Sequence, residues 1–257
     1  MRNILTLLMT LAMASPAAAA KPDAPDMSGT WAELRVLTEV QPVPLVGKVT
    51  IAQQFLSLHK LAADGSKVAS KGKMCGLRFE ASHKRLRPSV AQSFLDALGV
   101  LEGRSKLQYN KKRKRWELSA KKRSDVLGAN LSRPDDKLPE DADDPRVTDP
   151  DKDGRPGVTV SVSGLANGNL YLIQRVTTAL RGIVRDKNTV DGIVTWSRDQ
   201  SVVGASSFIL RSPPEGVPHK DRSKHFFRLR RVPEGMTCDG LLKTADSLFR
   251  LKASAKP

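Results

Sequence analysis

Asp149, Asp151 and Asp153 alternate along the chain, Gly154 follows them, and Arg155 comes next. Alternating aspartates gather hard carboxylate oxygens around one centre, and their spacing matches positions 1, 3 and 5 of an EF-hand-type calcium loop. Gly154 then holds the sharp-turn position 6, and Arg155 offers its backbone carbonyl at position 7. Position 12 is Val160 instead of a bidentate glutamate, and Pro145 and Pro150 oppose an entering helix. The expectation is calcium in a loop without flanking helices, its missing ligands coming from elsewhere, with Asp143 or Asp144 as candidates. The alternative is a plain acidic turn stiffened by Pro150 and Pro156.

Cys75 and Cys238 are the only cysteines. Arg2, the apolar run from Ile4 to Ala14 and the Ala18-x-Ala20 pattern form a secretory signal, with cleavage expected after Ala20. The apolar run is about half the roughly 20 residues a spanning helix needs, and no transmembrane segment is expected in the mature chain. Export delivers two thiols to an oxidising compartment, so a Cys75–Cys238 disulfide is predicted. The destination is the periplasm, the outer membrane or the medium.

Residues 1–20 carry Arg2 as their only charge, so the mature chain holds 42 basic and 27 acidic residues, a formal +15. Such a chain is drawn to anions. Lys111, Lys112, Arg113, Lys114 and Arg115 lie between Tyr109 and Trp116, and this cluster is the candidate anion-binding site. After export its partner would be an anionic envelope surface, lipopolysaccharide or an acidic glycan, with no specific nucleic acid expected. Charges protecting an edge strand, or a contact between this hairpin and the acidic segment, are the alternatives.

Catalytic signatures are missing: there is no H-E-x-x-H, G-x-S-x-G, glycine-rich phosphate loop or C-x-x-C. His59, His83, His219 and His225 share no metal-ligand spacing, and the acid pair Glu33 and Glu39 is uninformative by itself. The sequence leaves open whether the protein is an enzyme. No catalytic residue is assigned.

The elements that must position these groups are mostly strands. Leu34, Val36, Thr38 and Val40 alternate with polar neighbours, and Val49 to His59 is similarly extended. Leu107 to Asn110 and Arg115 to Ala120 form a hairpin around the basic cluster. Val158 to Ser163 and Leu170 to Thr178 join through Asn167-Gly168, a strong hairpin dipeptide. Further strands are expected at 183–185, 190–196, 202–210 and 226–232. Arg87-Pro88-Ser89 opens a helix carrying Val90, Phe94, Leu95 and Leu98 on one face, and Asp239 precedes a C-terminal helix with Leu241, Ala245 and Phe249.

The organisation expected is a signal peptide (1–20), an N-terminal β-rich half (21–131), an acidic proline-rich loop (132–157) and a C-terminal β-rich half (158–257). Five prolines and nine acidic residues bar the loop from regular structure. The two halves are expected to form one unit, an antiparallel barrel or sandwich with two short helices.

Ser28-Gly29-Thr30-Trp31 resembles the Gly-x-Trp entry of lipocalins and other calycin barrels. That resemblance implies that Trp31 closes the barrel floor with a basic residue of the last strand over it, Arg228 or Arg230 here. The segment Asp149-x-Asp151-x-Asp153-Gly154-x-Pro156-Gly157-Val158-Thr159 is similar to one in uncharacterised exported bacterial β-rich proteins. Gly192-Ile193-Val194-Thr195-Trp196 and Val203-Gly204-Ala205-Ser206 look like the same pattern. The aspartate loop also resembles the calcium loops of extracellular repeat modules. Together these readings predict a non-catalytic exported protein that binds a small apolar or an anionic ligand, such as lipid, lipopolysaccharide or acidic glycan. A secreted hydrolase and a calcium-stabilised structural or assembly protein are the alternatives.

Overall fold

Inward and outward side chains alternate without interruption from Trp31 to Val43, and that alternation runs through most of the chain. A computed structural model describes residues 22–43, 46–213 and 215–251. The signal-peptide reading of residues 1–20 lies outside the described residues.

The strands are β1 (Gly29–Val43), β2 (Gly47–Asp64), β3 (Lys67–Ala81), β4 (Leu86–Val90), β5 (Leu101–Asn110), β6 (Arg115–Leu127), β7 (Val158–Gly164), β8 (Gly168–Asp186), β9 (Thr189–Ala205), β10 (Val217–Pro218) and β11 (Phe226–Arg231). Two α-helices join them, α1 (Gln92–Ala97) and α2 (Cys238–Leu248). Every pairing is antiparallel. In the ring, β8, β6, β5, β3, β2, β1, β11 and β9 follow one another, and β9 pairs back onto β8 to close a barrel. Strands from both sides of the acidic segment thus share one wall, β6, β5, β3, β2 and β1 forming one arc and β11, β9 and β8 the other.

Two features shape the open end. β8 pairs with β7 through residues 168–172 and with β6 through residues 174–183, so its one edge serves two neighbours in succession. β5 meets β3 only along residues 67–72 of the latter, which leaves the rest of β3 paired to β2 alone. The short helix α1 sits at this break in the wall. Its Phe94 and Leu95 pack against Val158, Met74, Leu77 and Leu127.

Sequence periodicity placed the start of that helix too early. Residues 86–90 are strand, and the helix begins at Gln92. Pro88 has no N–H and restrains Arg87 to extended backbone, which suits an edge strand whose partner is β7. Residues 168–186 and 189–205 are each one long strand where shorter pieces were expected, because β-bulges at Tyr171/Leu172 and Val184/Asp186 carry them past local breaks in alternation.

The closed end is filled by Met27, Trp31, Leu107, Val190 and Phe227, all fully buried. Outside the wall, α2 lays Leu241 and Ala245, followed by Phe249, over Leu34, Leu56 and Val232. Each large apolar side chain buried there contributes about 1.5–3 kcal/mol. Thr237 caps α2 by accepting the Gly240 N–H on its hydroxyl (3.1 Å). Gly76 faces this helix: a Cβ there would come within 2.7 Å of Leu242.

Candidate functional site

Inside the barrel and open at the α1 end lies a cavity of about 1410 Å³. That exceeds the roughly 300–1,000 Å³ usual for small-molecule sites. Its walls near α1 are apolar, with Phe79, Val90, Phe94, Val160, Leu172 and Leu210 among them. An eight-stranded barrel has room in its interior either for packed side chains or for one small ligand. Here packed side chains fill the Trp31 end, and the opposite end holds the cavity.

Between the filled core and the open apolar part, the wall carries charge. Glu33, Arg35, Ser57 and His59 face the cavity from β1 and β2, brought together by a register that sets Glu33 opposite Ser57 and Trp31 opposite His59. Arg35 donates through Nε to Glu33 Oε1 (2.8 Å), with Nη2 also 2.8 Å from that oxygen. His59 Nε2 lies 3.3 Å from Glu33 Oε2 and 2.8 Å from Ser57 Oγ. Burial pushes the Glu33 carboxyl up, but the charge of Arg35 and the hydrogen bond from His59 outweigh it and hold the pKa at about 2. A second pair, Glu39 and Arg198, meets at 2.5 Å on the same cavity wall.

His59 Nε2 is thus within reach of both Glu33 and Ser57, and its role towards each is set by the tautomer of the ring. Nδ1 is buried without a partner, close to Gly72, where a Cβ would come within 2.4 Å of it. His225 is fixed more completely. Its Nδ1 accepts from Thr38 N (3.2 Å) and Trp196 Nε1 (2.9 Å), and its Nε2 donates to the His219 carbonyl (2.7 Å). It is a neutral structural histidine.

The structure also gathers Asp149, Asp151 and Asp153, each of which brings one carboxylate oxygen within 4.8 Å of the others. Asp149 accepts from Asp153 N (3.3 Å) and Gly154 N (2.9 Å), while Gly154 has φ +78° and Lys152 φ +56°. Asp151 is 3 % exposed. Its Oδ2 accepts from Thr159 N (3.0 Å), whereas Oδ1 has no hydrogen-bond partner among the described residues. Burial, and the charge of Asp153, raise its pKa from the ordinary value. The three carboxylates could hold a metal ion. Asp144 is engaged elsewhere: Arg146 grips it at 2.6 Å and holds its pKa at about 2.

Arg228 and Arg230 do not stack on Trp31. Inward side chains of β11 are Phe227, Leu229 and Arg231, and it is Arg231 that lies over the indole, 4.6 Å from the ring. Strand parity turns the two predicted arginines outward. Arg228 covers Phe226 and donates to the Phe249 carbonyl, and Arg230 pairs with Asp191 (2.8 Å).

Lys111, Lys112, Arg113 and Lys114 are exposed on the β5–β6 turn, and Arg115 is held by Glu117 (3.0 Å). Within the acidic segment, Asp136, Glu140 and Asp144 pair locally with Arg133, Lys137 and Arg146. Arg155 packs its guanidinium over Tyr171, 5.8 Å from the ring.

Cys75 and Cys238 are joined, S–S 2.03 Å. The bulge at Leu56/Ser57 makes this possible, because it leaves Cys75 as the extra residue of β3, facing α2.

Comparison with protein-family models, with curated proteins and with solved structures gave no match. The site therefore rests on its own geometry. Sequence reading had set Glu33, Glu39 and His59 aside and did not consider Arg35 or Arg198. Period-two alternation puts Trp31, Glu33, Arg35, Leu37 and Glu39 on one face of a strand, and charged residues sharing a face with a buried tryptophan were the available signal.

Proposed function

We propose that the protein is an exported, non-catalytic binding protein that holds one apolar-chain ligand inside its barrel. The observation behind this reading is the cavity of about 1410 Å³ with an apolar wall at its open end. An unfilled apolar space of this size forfeits the packing contacts that a ligand would restore. The outward faces of β8 and β9 carry Arg175, Arg181, Asp191 and Asp199, which suits a barrel surrounded by water better than one with an apolar lipid-facing band. Among the described residues no helix is long and apolar enough to cross a membrane.

Native mass spectrometry of protein recovered from its host's envelope tests the reading. A co-purified lipid-sized adduct, displaced by a fluorescent apolar probe such as N-phenyl-1-naphthylamine, is the expected result. Failure of any apolar probe to bind the adduct-free protein overturns it.

A second reading concerns the aspartate loop, where we infer a structural calcium ion. The buried, unpartnered Oδ1 of Asp151 beside two further carboxylates supports it. Calcium would supply the charge that three clustered carboxylates call for and would brace β7, since Asp151 and Asp153 both hold Thr159. Calorimetric titration with calcium tests it, and absence of heat at millimolar calcium discards the ion.

A further inference from the structure

The charged belt is a poor device for stability. Taking each ion of a pair out of water costs several kcal/mol, and apolar residues of similar volume serve a barrel core as well or better. Its detailed arrangement has another property: it presents positive charge to the cavity and hides the negative. Glu33 spends Oε1 on Arg35 and Oε2 on His59. The Arg35 side chain is 30 % exposed, whereas Glu33, His59, Glu39 and Arg198 retain only 7 %, 9 %, 6 % and 11 %. Both nitrogens that Arg35 gives to Glu33 meet a single oxygen, which leaves Nη1 and the second Nη2 hydrogen for another acceptor.

We propose that Arg35 is a headgroup site: the barrel ligand is a single-chain amphiphile whose carboxylate or phosphate docks on the free edge of Arg35, with its chain running to the apolar wall near α1. This inference rests on the carrier reading and adds the chemistry of the ligand's polar end. A guanidinium presents parallel N–H donors that match the two oxygens of a carboxylate or phosphate. Glu33 keeps Arg35 oriented, so little rotamer freedom is lost when the ligand arrives. The positive charge of the whole chain favours the same class of ligand. Phe55, across from Arg35 on β2, and Leu77, across from Phe55 on β3, begin the apolar path outward. Lys121 and Lys122, which also line the cavity, are the competing seat for an anionic head.

The experiment measures displacement of N-phenyl-1-naphthylamine by dodecanoate, dodecyl phosphate and dodecanol from the disulfide-bonded protein. Variants are Arg35→Gln, Glu33→Gln and a Lys121→Gln, Lys122→Gln pair. Charge-assisted hydrogen bonds predict that at least one anion outcompetes dodecanol by about 10- to 100-fold on the wild type. Arg35→Gln abolishes that preference and leaves dodecanol unchanged, and the better anion identifies the head. Glu33→Gln, which keeps an acceptor to orient Arg35 but removes the negative charge beside it, strengthens the preference and decides the matter if Arg35→Gln does not fold. Equal binding of all three amphiphiles overturns the headgroup site and leaves the carrier reading standing. A preference lost in the lysine pair and kept in Arg35→Gln overturns it too. If neither the probe nor any amphiphile binds, the carrier reading fails and this inference with it.

Discussion

Arg231 stands directly across from Trp31 in the register of β11 and β1, its guanidinium 4.6 Å from the centre of the indole. The same side chain donates to the carbonyls of Asp26, Ser28 and Lys187, so one residue closes the barrel floor, the N-terminal segment and the β8–β9 turn together. Arg231→Ala should cost about 2–4 kcal/mol, from the lost cation–π contact and the charge-assisted hydrogen bonds. Arg230→Ala, which breaks an outward pair with Asp191, should cost about 1 kcal/mol or less. Urea unfolding midpoints at constant m-value check both.

The Glu33 carboxyl predicts an acid limb to the stability curve. Its folded pKa of about 2 lies below the ordinary value of 4.5, so the stabilisation is complete above about pH 4.5 and disappears as pH falls towards 2. The difference corresponds to on the order of 3 kcal/mol for this buried group. Glu33→Gln should be less stable at pH 7 and should lose less between pH 5 and pH 2 than the wild type. Parallel denaturation profiles of the two proteins, subtracted pH by pH, measure it.

Reduction, or a Cys75→Ser, Cys238→Ser double variant, removes a crosslink between residues 163 positions apart. The chain-entropy model gives about 5 kcal/mol as the upper bound of the loss. The helix α2 should loosen first, since beyond the bond it is held by apolar contacts with β1 to β3 and by Arg78, which pairs with Asp246 (2.7 Å) and donates to the Leu242 carbonyl (3.1 Å). Amide exchange of residues 238–248 with and without reductant reports this directly.

Calcium at about ten times a dissociation constant of ~0.1–1 mM should add about 1.4 kcal/mol, or roughly 3–5 °C in a chain of this size. An Asp151→Ala, Asp153→Ala variant should melt at one temperature with calcium or chelator. Equal calcium shifts in variant and wild type would show that the ion binds elsewhere.

The barrel's hairpins were legible because turn dipeptides and alternating apolar residues are local signals. β3 was not, since Lys67-Val68-Ala69-Ser70-Lys71-Gly72-Lys73 has almost no apolar alternation. Gly72 has no side chain because it faces one: a Cβ there would collide with His59. The disulfide followed from cysteine count and export chemistry, whereas the bulge that aims Cys75 at α2 belongs to pairing. The aspartate loop was legible as a motif, but the burial of Asp151 depends on β7 and β8 beside it. The charged belt was the least legible part. Glu33 and His59 meet through an interstrand register that no spacing along the chain encodes.

The pairing of β1 with β11 sets an order on biogenesis. β1 waits for its second neighbour until residues 226–231 exist, and the ring cannot close before then. Cys238 lies later still, so the crosslink to Cys75 becomes available only after β11 has been made. Contacts this distant in sequence make closure slow and leave β1 with an unpaired edge in the meantime. The chain therefore spends its early life as an open sheet that needs shielding from its own copies. With two cysteines in the sequence, there is only one internal pairing to form, and it ties β3 to the helix that follows the last strand of the ring.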